Sequence, residues 1–186
     1  MARVDALPEG AKEVLQTGSV IEREFPHELI RMVTKLSEQD LLTHLLALKD
    51  AELLNERGVY PNSTYIFKHA LTREVVYGSI LTKRRKELHA AVAEAMEQTY
   101  QPNLAEHLGT LCDHFMAGEN YEKGETYAKL AARKAQKAGS FPEAIDQAKK
   151  RIACLEKLPL TDEGQKKMID ARTVLALYLA QLQSLF

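Results

Sequence analysis

The chain has 186 residues, which is enough for one large domain or two small ones with a buried core. Its 25 basic and 26 acidic residues nearly cancel, and this balance excludes a global positive field that would hold nucleic acid or an anionic membrane. No apolar run approaches the 18 residues that a membrane span needs, and the start of the chain has no signal-peptide core. We therefore expect a cytoplasmic protein with no membrane partner.

The first third of the chain carries three predicted helices. Pro8 suits a first helical turn, Pro26 opens a second short helix, and Ser37-Glu38-Gln39-Asp40 resembles a capping box ahead of a third. Apolar or small residues recur at helical spacing in each of them: Val14, Leu15 and Gly18 in the first, Leu29, Ile30, Val33 and Leu36 in the second, and Leu41, Leu42, Leu45, Leu46 and Leu48 in the third.

A short β-hairpin is predicted after the third helix. Leu53-Leu54 and Tyr65-Ile66-Phe67 flank a turn-rich stretch from Arg57 to Ser63, the pattern of two strands joined by a tight connection. Three helices followed by such a wing make a winged-helix plan, which we predict for residues 1–81. The alternative is that the apolar pairs only anchor loops in an all-α domain.

The remaining chain, residues 82–186, is predicted to be an array of antiparallel helix pairs. The pattern from His69 to Gln98 is helical in two pieces, and later helices are separated by residues 118–120 and 139–140, with a last one from about Glu163. Such short breaks make neighbouring helices antiparallel. The buried stripe of the helix before Pro102 is predicted to comprise Leu81, Leu88, Ala91, Val92, Ala95 and Met96.

The chain shows none of the common catalytic motifs. It lacks a P-loop, a dinucleotide-binding glycine pattern and a His-Glu-x-x-His metal motif, so we predict no catalytic and no metal residues. His107, Cys112 and His114 are close in sequence, but on a helix Cys112 and His114 point about 200° apart, which disfavours a shared metal ion. Cys112 and Cys154 fit no paired spacing and are expected to be reduced core thiols.

A basic cluster stands at the predicted start of one helix. Lys83, Arg84, Arg85 and Lys86 could contact an anion or a partner's carboxylates, because positive charge is unfavourable at a helix N-terminus without one. The alternative is a solvated helical face flanked by Glu87.

Several segments occur in the order found in one family of signalling proteins. These are residues 3–8, Val14 to Ile21, Arg23-Glu24-Phe25 and the stretch from Phe67 to Tyr77. Together they resemble the winged-helix region that follows the ATPase core in STAND-type signalling NTPases, as in multidomain bacterial class III adenylate/guanylate cyclases. The helices that follow resemble the tetratricopeptide-like arm of those proteins.

This resemblance implies a non-catalytic regulatory fragment that couples the nucleotide state of an upstream ATPase domain to protein partners on the helical array. It also implies that His69 occupies the place of the histidine in the Met-His-Asp motif, where the imidazole senses bound ADP. ATP or ADP is thus implied for the parent protein, and no cofactor for this fragment. The alternative for His69 is capping or packing at the junction between wing and helix. The chain departs from the family pattern at Glu22, where glycine is usual, and at Ala70, where an acidic residue is usual.

Two other functions fit parts of the pattern. A winged-helix transcriptional regulator would place the third helix in the major groove, but the segment from Leu41 to Leu46 has only Lys49 as a nearby base, so nucleic acid is not an expected partner. A free-standing peptide-binding scaffold is the second alternative. The apolar end, Leu185-Phe186, leads us to expect a fragment of a longer chain, or self-association through that end.

Overall fold

The computed structural model describes residue 4 and residues 6–183, so Leu185 and Phe186 lie outside the described residues. The protein is mainly helical, with a small antiparallel sheet, and it divides into two compact units, Met1–Thr99 and Tyr100–Phe186. The unit boundary therefore lies after Thr99, whereas the sequence pattern placed it after residue 81. The reason is that the helix from Thr82 to Thr99 packs on helices of the first unit.

The first unit begins with the three predicted helices and the predicted hairpin. Ser37 caps the third helix, because its hydroxyl accepts a hydrogen bond from the Asp40 amide at 3.1 Å and the two side chains also bond. In chain order the elements are α1 (Glu9–Ile21), β1 (Glu24–Pro26), α2 (His27–Thr34), α3 (Glu38–Asp50), β2 (Leu54–Arg57), β3 (Thr64–Phe67), α4 (Ala70–Ser79) and α5 (Thr82–Thr99).

The sheet has a third strand, β1, that the hydrophobic pattern did not indicate. β1 pairs antiparallel with β3, which also pairs with β2, so the strand order is β1-β3-β2. Three residues ending in proline are too short to show an alternating pattern, but they place Phe25 opposite Tyr65 on the central strand. This pairing ties the chain between α1 and α2 to the hairpin.

Large aromatic side chains fill the core of the first unit. Phe25, Tyr65 and Phe67 are fully buried, and the Phe25 ring lies 6.0 Å from that of Tyr65 and 6.1 Å from that of Phe67. Gly18 of α1 faces the Phe25 ring so closely that an added Cβ would come within 2.6 Å of it. The ring and the helix therefore fit together only because residue 18 has no side chain.

A buried histidine joins α2, α3 and the hairpin. The His27 backbone N–H donates to the Ser63 carbonyl at 2.8 Å, and its Nε2 lies 2.6 Å from Glu38 Oε1 at the start of α3. The Tyr65 hydroxyl lies 3.4 Å from His27 Nδ1. These contacts add polar interactions to the apolar packing that holds the hairpin.

The second unit consists of consecutive helices with short connections. A 3₁₀ segment (Gln101–Glu106) leads into α6 (Leu108–Ala117), α7 (Tyr121–Lys137), α8 (Phe141–Leu155) and α9 (Asp162–Gln183). Gly139 has a φ of +75°, so this connection between α7 and α8 uses the left-handed region that glycine favours.

Neighbouring helices in the second unit are antiparallel, as predicted from the short breaks. The early residue Gly124 of α7 lies against the late residue Cys154 of α8, and the late residue Tyr178 of α9 packs in a cluster with the early residues Ala144 and Ile145 of α8. The core between them is made of small residues: Gly124, Ala128, Ala131, Ala132, Ala135, Ala144 and Ala148.

An interhelical charge network crosses this small-residue core. Arg151 of α8 is buried, and its Nε donates to the buried Glu125 of α7 at 2.8 Å. Its Nη1 donates at 2.8 Å to Asp170 of α9, whose side chain is half exposed. One guanidinium therefore joins three helices.

Among the described residues, no helix is long and apolar enough to cross a membrane.

Candidate functional site

His69 stands at the start of α4 and faces solvent. It occupies the N-cap position with extended backbone angles, and its imidazole makes no capping hydrogen bond, while its carbonyl accepts from the Thr72 amide at 3.1 Å. Neither the capping role nor the packing role that we considered for this histidine is seen within the described residues. The ring is open to a group from outside the unit.

The outer face of α4 leaves two apolar side chains uncovered, beside the exposed Glu74. Leu71 is 69% exposed and Val75 is 41% exposed, and an added Cβ at Gly78 would meet no atom within 4 Å in the described structure. These three positions are spaced i, i+4 and i+7, so they lie on one face of the helix. Within α4 only Val76 is buried.

Leu81, directly after α4, extends this apolar surface. The hydrophobic pattern assigned it to the buried stripe of α5, which was wrong: Leu81 is 79% exposed, whereas Leu88, Val92, Ala95 and Met96 are buried as predicted. The physical reason is that α5 begins at Thr82, so Leu81 lies in the turn outside the helical stripe. We call Leu71, Val75, Gly78 and Leu81 the α4 surface. His69 stands at the N-cap position of the same helix, two residues before Leu71.

The opposite side of α4 is fixed by polar contacts. Arg73 Nε donates to the Ser19 carbonyl near the end of α1 at 3.0 Å, and the Tyr77 hydroxyl lies 2.9 Å from His89 Nε2 of α5, within hydrogen-bond distance. Burial, with the nearby charges of Arg85 and Arg73, lowers the pKa of His89 to about 4, so its imidazole is neutral and can accept that hydrogen bond at neutral pH. The α4 surface is therefore presented on an anchored helix.

In the basic cluster at the start of α5, some side chains contact residues of the first unit and others are exposed to solvent. Arg84 lies 3.4 Å from Glu87, and the Arg85 guanidinium lies over the Tyr77 ring at 5.0 Å from its centre. Lys83 and Arg84 are exposed, while Arg85 and Lys86 are partly buried. Since α4 spans about 15 Å and separates His69 from the cluster, the two predicted features do not form one site.

The cysteines do not have the environment of reactive thiols or metal ligands. Burial raises the pKa of Cys112 to about 12 and that of Cys154 to about 11, so both remain thiols at neutral pH. Cys112 lies 3.7 Å from the Met116 sulfur, and His114 is buried. Across the described residues, no group of three histidine, cysteine or acidic residues could hold a metal ion.

The surface of α3 does not have the charge that a DNA-recognition helix needs. Leu41, Leu45 and Leu48 face the core, while Asp40 and Asp50 are exposed. Lys49, the one base of that helix, forms an ion pair with Glu56. Carboxylates on the exposed face would repel phosphate, and this argues against duplex binding through α3.

Glu22, where the chain departs from the family pattern, adopts an extended backbone that any residue can take. Its side chain therefore imposes no strain at this turn.

The α4 surface was not predicted, although Leu71 and Val75 are spaced as one helical face, because periodicity alone does not separate a buried stripe from an uncovered one. Comparison of the chain with protein-family models, curated proteins and solved structures finds no match.

Proposed function

We propose that this chain is a non-catalytic regulatory and interaction part of a larger signalling ATPase or nucleotide cyclase of the STAND type, acting in the cytoplasm. Its first unit docks on an upstream ATPase domain, and its helical array receives protein partners. The observation that carries the proposal is α4 itself, which follows the solvent-facing His69 and exposes Leu71 and Val75.

The arrangement of the first unit supports a winged-helix assignment. Three helices precede a β2–β3 hairpin, and β1 adds to the hairpin as a short third strand. In the resemblance, the histidine that approaches the β-phosphate of ADP follows the wing, and here His69 directly follows β3. A solvent-facing imidazole can donate to a phosphate oxygen near neutral pH.

The second unit supports a tetratricopeptide-like assignment. Its helices are antiparallel neighbours, and the small residues of α7 let α6 and α8 approach closely. Solenoid arrays of helix pairs present extended surfaces on which protein segments bind. This division gives the first unit the nucleotide-linked role and the second the partner-linked role.

The test is ADP retention by a longer chain in which this region follows its upstream ATPase domain. His69→Ala should speed ADP release by about 10- to 150-fold, because it removes a hydrogen bond to a charged group worth about 1.5–3 kcal/mol. The matched control is His107→Ala, which removes a histidine of the second unit that stacks on Tyr100 at 3.9 Å. The control should leave ADP release unchanged.

Unchanged ADP retention and activity in His69→Ala would remove the nucleotide-sensing role. The sequence upstream of this region provides a further decision. A P-loop there supports the proposed architecture, whereas an upstream sequence with no nucleotide-binding domain would contradict it and favour a free-standing scaffold.

A further inference from the structure

Helices α7 and α9 run side by side in the same direction and enclose a groove above α8. Glu122 and Glu163, from the starts of both helices, line one cavity, while Lys137 and Leu177, from their later parts, line another. Between them, Ala148 and Arg151 of α8 lie beneath residues of α7 and α9. Two helices that both pack antiparallel to α8 must be parallel to each other, so this groove follows from the order of the helices.

The groove is filled at its centre and open at its ends. The central cavity holds only about 30 Å³, because Tyr178 and the bond between Arg151 and Asp170 occupy it. The open cavities hold about 590 Å³ at the start of the helices and about 450 Å³ at their later part. We call the second of these the basic end of the groove.

The basic end combines exposed cations with an apolar wall. Arg133 and Lys137 of α7 are exposed, and no ion pair of either is seen among residues 6–183, although the nearby charge of Arg133 helps to lower the pKa of Asp170. They are spaced i, i+4, so both project on the same side of α7. The neighbouring Lys134 is directed elsewhere, since it donates to the Ala105 carbonyl at 2.9 Å.

The facing wall comes from α9, which contains no charged residue from Thr173 to Gln183. Val174 and Leu177 line the basic end, and Leu177 is 57% exposed. Burial of the exposed Leu177 side chain by a ligand would be favourable, because it removes apolar surface from water. The two exposed cations beside it would attract an anionic group of the same ligand.

We propose that the basic end of the groove binds a peptide segment of a partner protein in which an aspartate or glutamate adjoins a large apolar residue. The carboxylate pairs with Arg133 and Lys137, and the apolar side chain covers Leu177 and Val174. This inference rests on the partner-binding role proposed for the array, but it requires neither the ATPase domain nor His69. It specifies the chemistry of the partner, which the periodicity of the array did not.

The experiment is selection from a random 12-residue peptide display library on the 186-residue chain, followed by fluorescence polarisation with the enriched peptides. The enriched sequences should carry Asp or Glu beside Leu, Ile or Phe. Arg133→Glu with Lys137→Glu should weaken their binding by about tenfold or more, since it turns attraction into like-charge repulsion. Leu177→Asp should also weaken it, and circular dichroism should show that both variants remain folded.

The matched control is Lys149→Glu with Lys166→Glu, which reverses two exposed cations of the second unit that do not line the basic end. It should leave peptide binding unchanged. The proposal is overturned if no sequence class is enriched, if enriched peptides are basic, or if charge reversal at Arg133 and Lys137 has no effect. It is also overturned if light scattering shows a dimer that this reversal dissociates, because the occupant would then be a second copy. Each of these results is independent of ADP retention in the longer chain.

Discussion

The two units are stabilised by different kinds of core. The first unit has a core of large aromatic rings, those of Phe25, Tyr65 and Phe67. The buried His27 joins α2 and α3 to the hairpin in the same unit. The second unit packs alanines and Gly124 between α7, α8 and α9 and inserts the Arg151 network there, and a stacked aromatic pair, Phe115 and Tyr127, lies between α6 and α7. In the first unit the buried rings fix the course of the chain between α1, β1 and the hairpin. In the second unit the small residues set the distance between the helices.

This difference bears on function, because it decides which surfaces remain uncovered. In the first unit the uncovered apolar residues include those of the α4 surface, together with Leu46 of α3 and with Val59 and Tyr60 between β2 and β3. In the second unit α7 and α9 lie on one side of α8, and the space between them is the groove. One unit presents a helix face and the other presents a cleft.

The largest effect is expected from breaking the charge network of the second unit. Arg151→Met should lower the free energy of unfolding of α7–α9 by about 3–5 kcal/mol, because it leaves the buried Glu125 carboxylate unpaired. Hydrogen exchange at increasing urea, followed by mass spectrometry, measures this for each unit separately.

Arg151→Met combined with Glu125→Met should recover most of that stability, since an apolar pair of similar volume replaces the buried charges. Asp170→Asn should cost less than about 1 kcal/mol, because the Asp170 side chain is half exposed and its charge is screened. Equal losses in the single and double variants would show that the network is not an isolated charge pair.

A smaller, pH-dependent effect should separate the units. The pKa of His89 is lowered to about 4, so the first unit has its full stability above the ordinary histidine pKa of about 6.5 and loses it as the pH falls toward 4. A shift of this size corresponds to at most about 3 kcal/mol, and the partial exposure of His89 reduces that contribution. His89→Gln should flatten this part of the stability profile of the first unit.

The second unit should lose stability at lower pH than the first. Its hydrogen bond from Arg151 holds the pKa of Asp170 below the usual range, so that contribution is present above about pH 4 and is lost as the pH falls through the lowered value. Unfolding followed by exchange at pH 7, 5 and 3 distinguishes the units. Parallel loss in both between pH 6.5 and 4 would contradict the assignment to His89.

The smallest effects are expected from three glycine-to-alanine changes. Gly18→Ala should cost about 1–3 kcal/mol, because its Cβ would meet the fully buried Phe25 ring. Gly124→Ala should cost less, since the atoms that it would meet belong to the side chains of Cys154 and Met116, at 3.0 and 3.2 Å. Gly78→Ala, with open space around it, should stabilise α4 by about 1 kcal/mol.

Thermal unfolding monitored by circular dichroism ranks these three variants. A cost at Gly78 equal to that at Gly18 would contradict the open surface of α4. A larger cost at Gly124 than at Gly18 would show that the small-residue core is the less adaptable of the two.

Helix positions were predictable from sequence because apolar residues recur along each of them, and Ser37 marks a boundary that the structure confirms. Strand β1 was not predictable, since pairing with β3 decides its conformation and three residues carry no period. The groove joins α7 to α9, which are separated by a whole helix, so no local pattern indicates it. Leu81 was predicted to be buried because it matches the apolar spacing of α5, but it lies before that helix begins and is exposed.

The central claim is that the α4 surface docks on a preceding domain. Hydrogen exchange of residues 69–81 tests it most directly, measured in this chain alone and in a longer chain that includes its upstream domain. We predict that exchange of this segment slows in the longer chain, and that Leu71→Asp with Val75→Asp restores the faster exchange. The same exchange rate in both chains would contradict the claim.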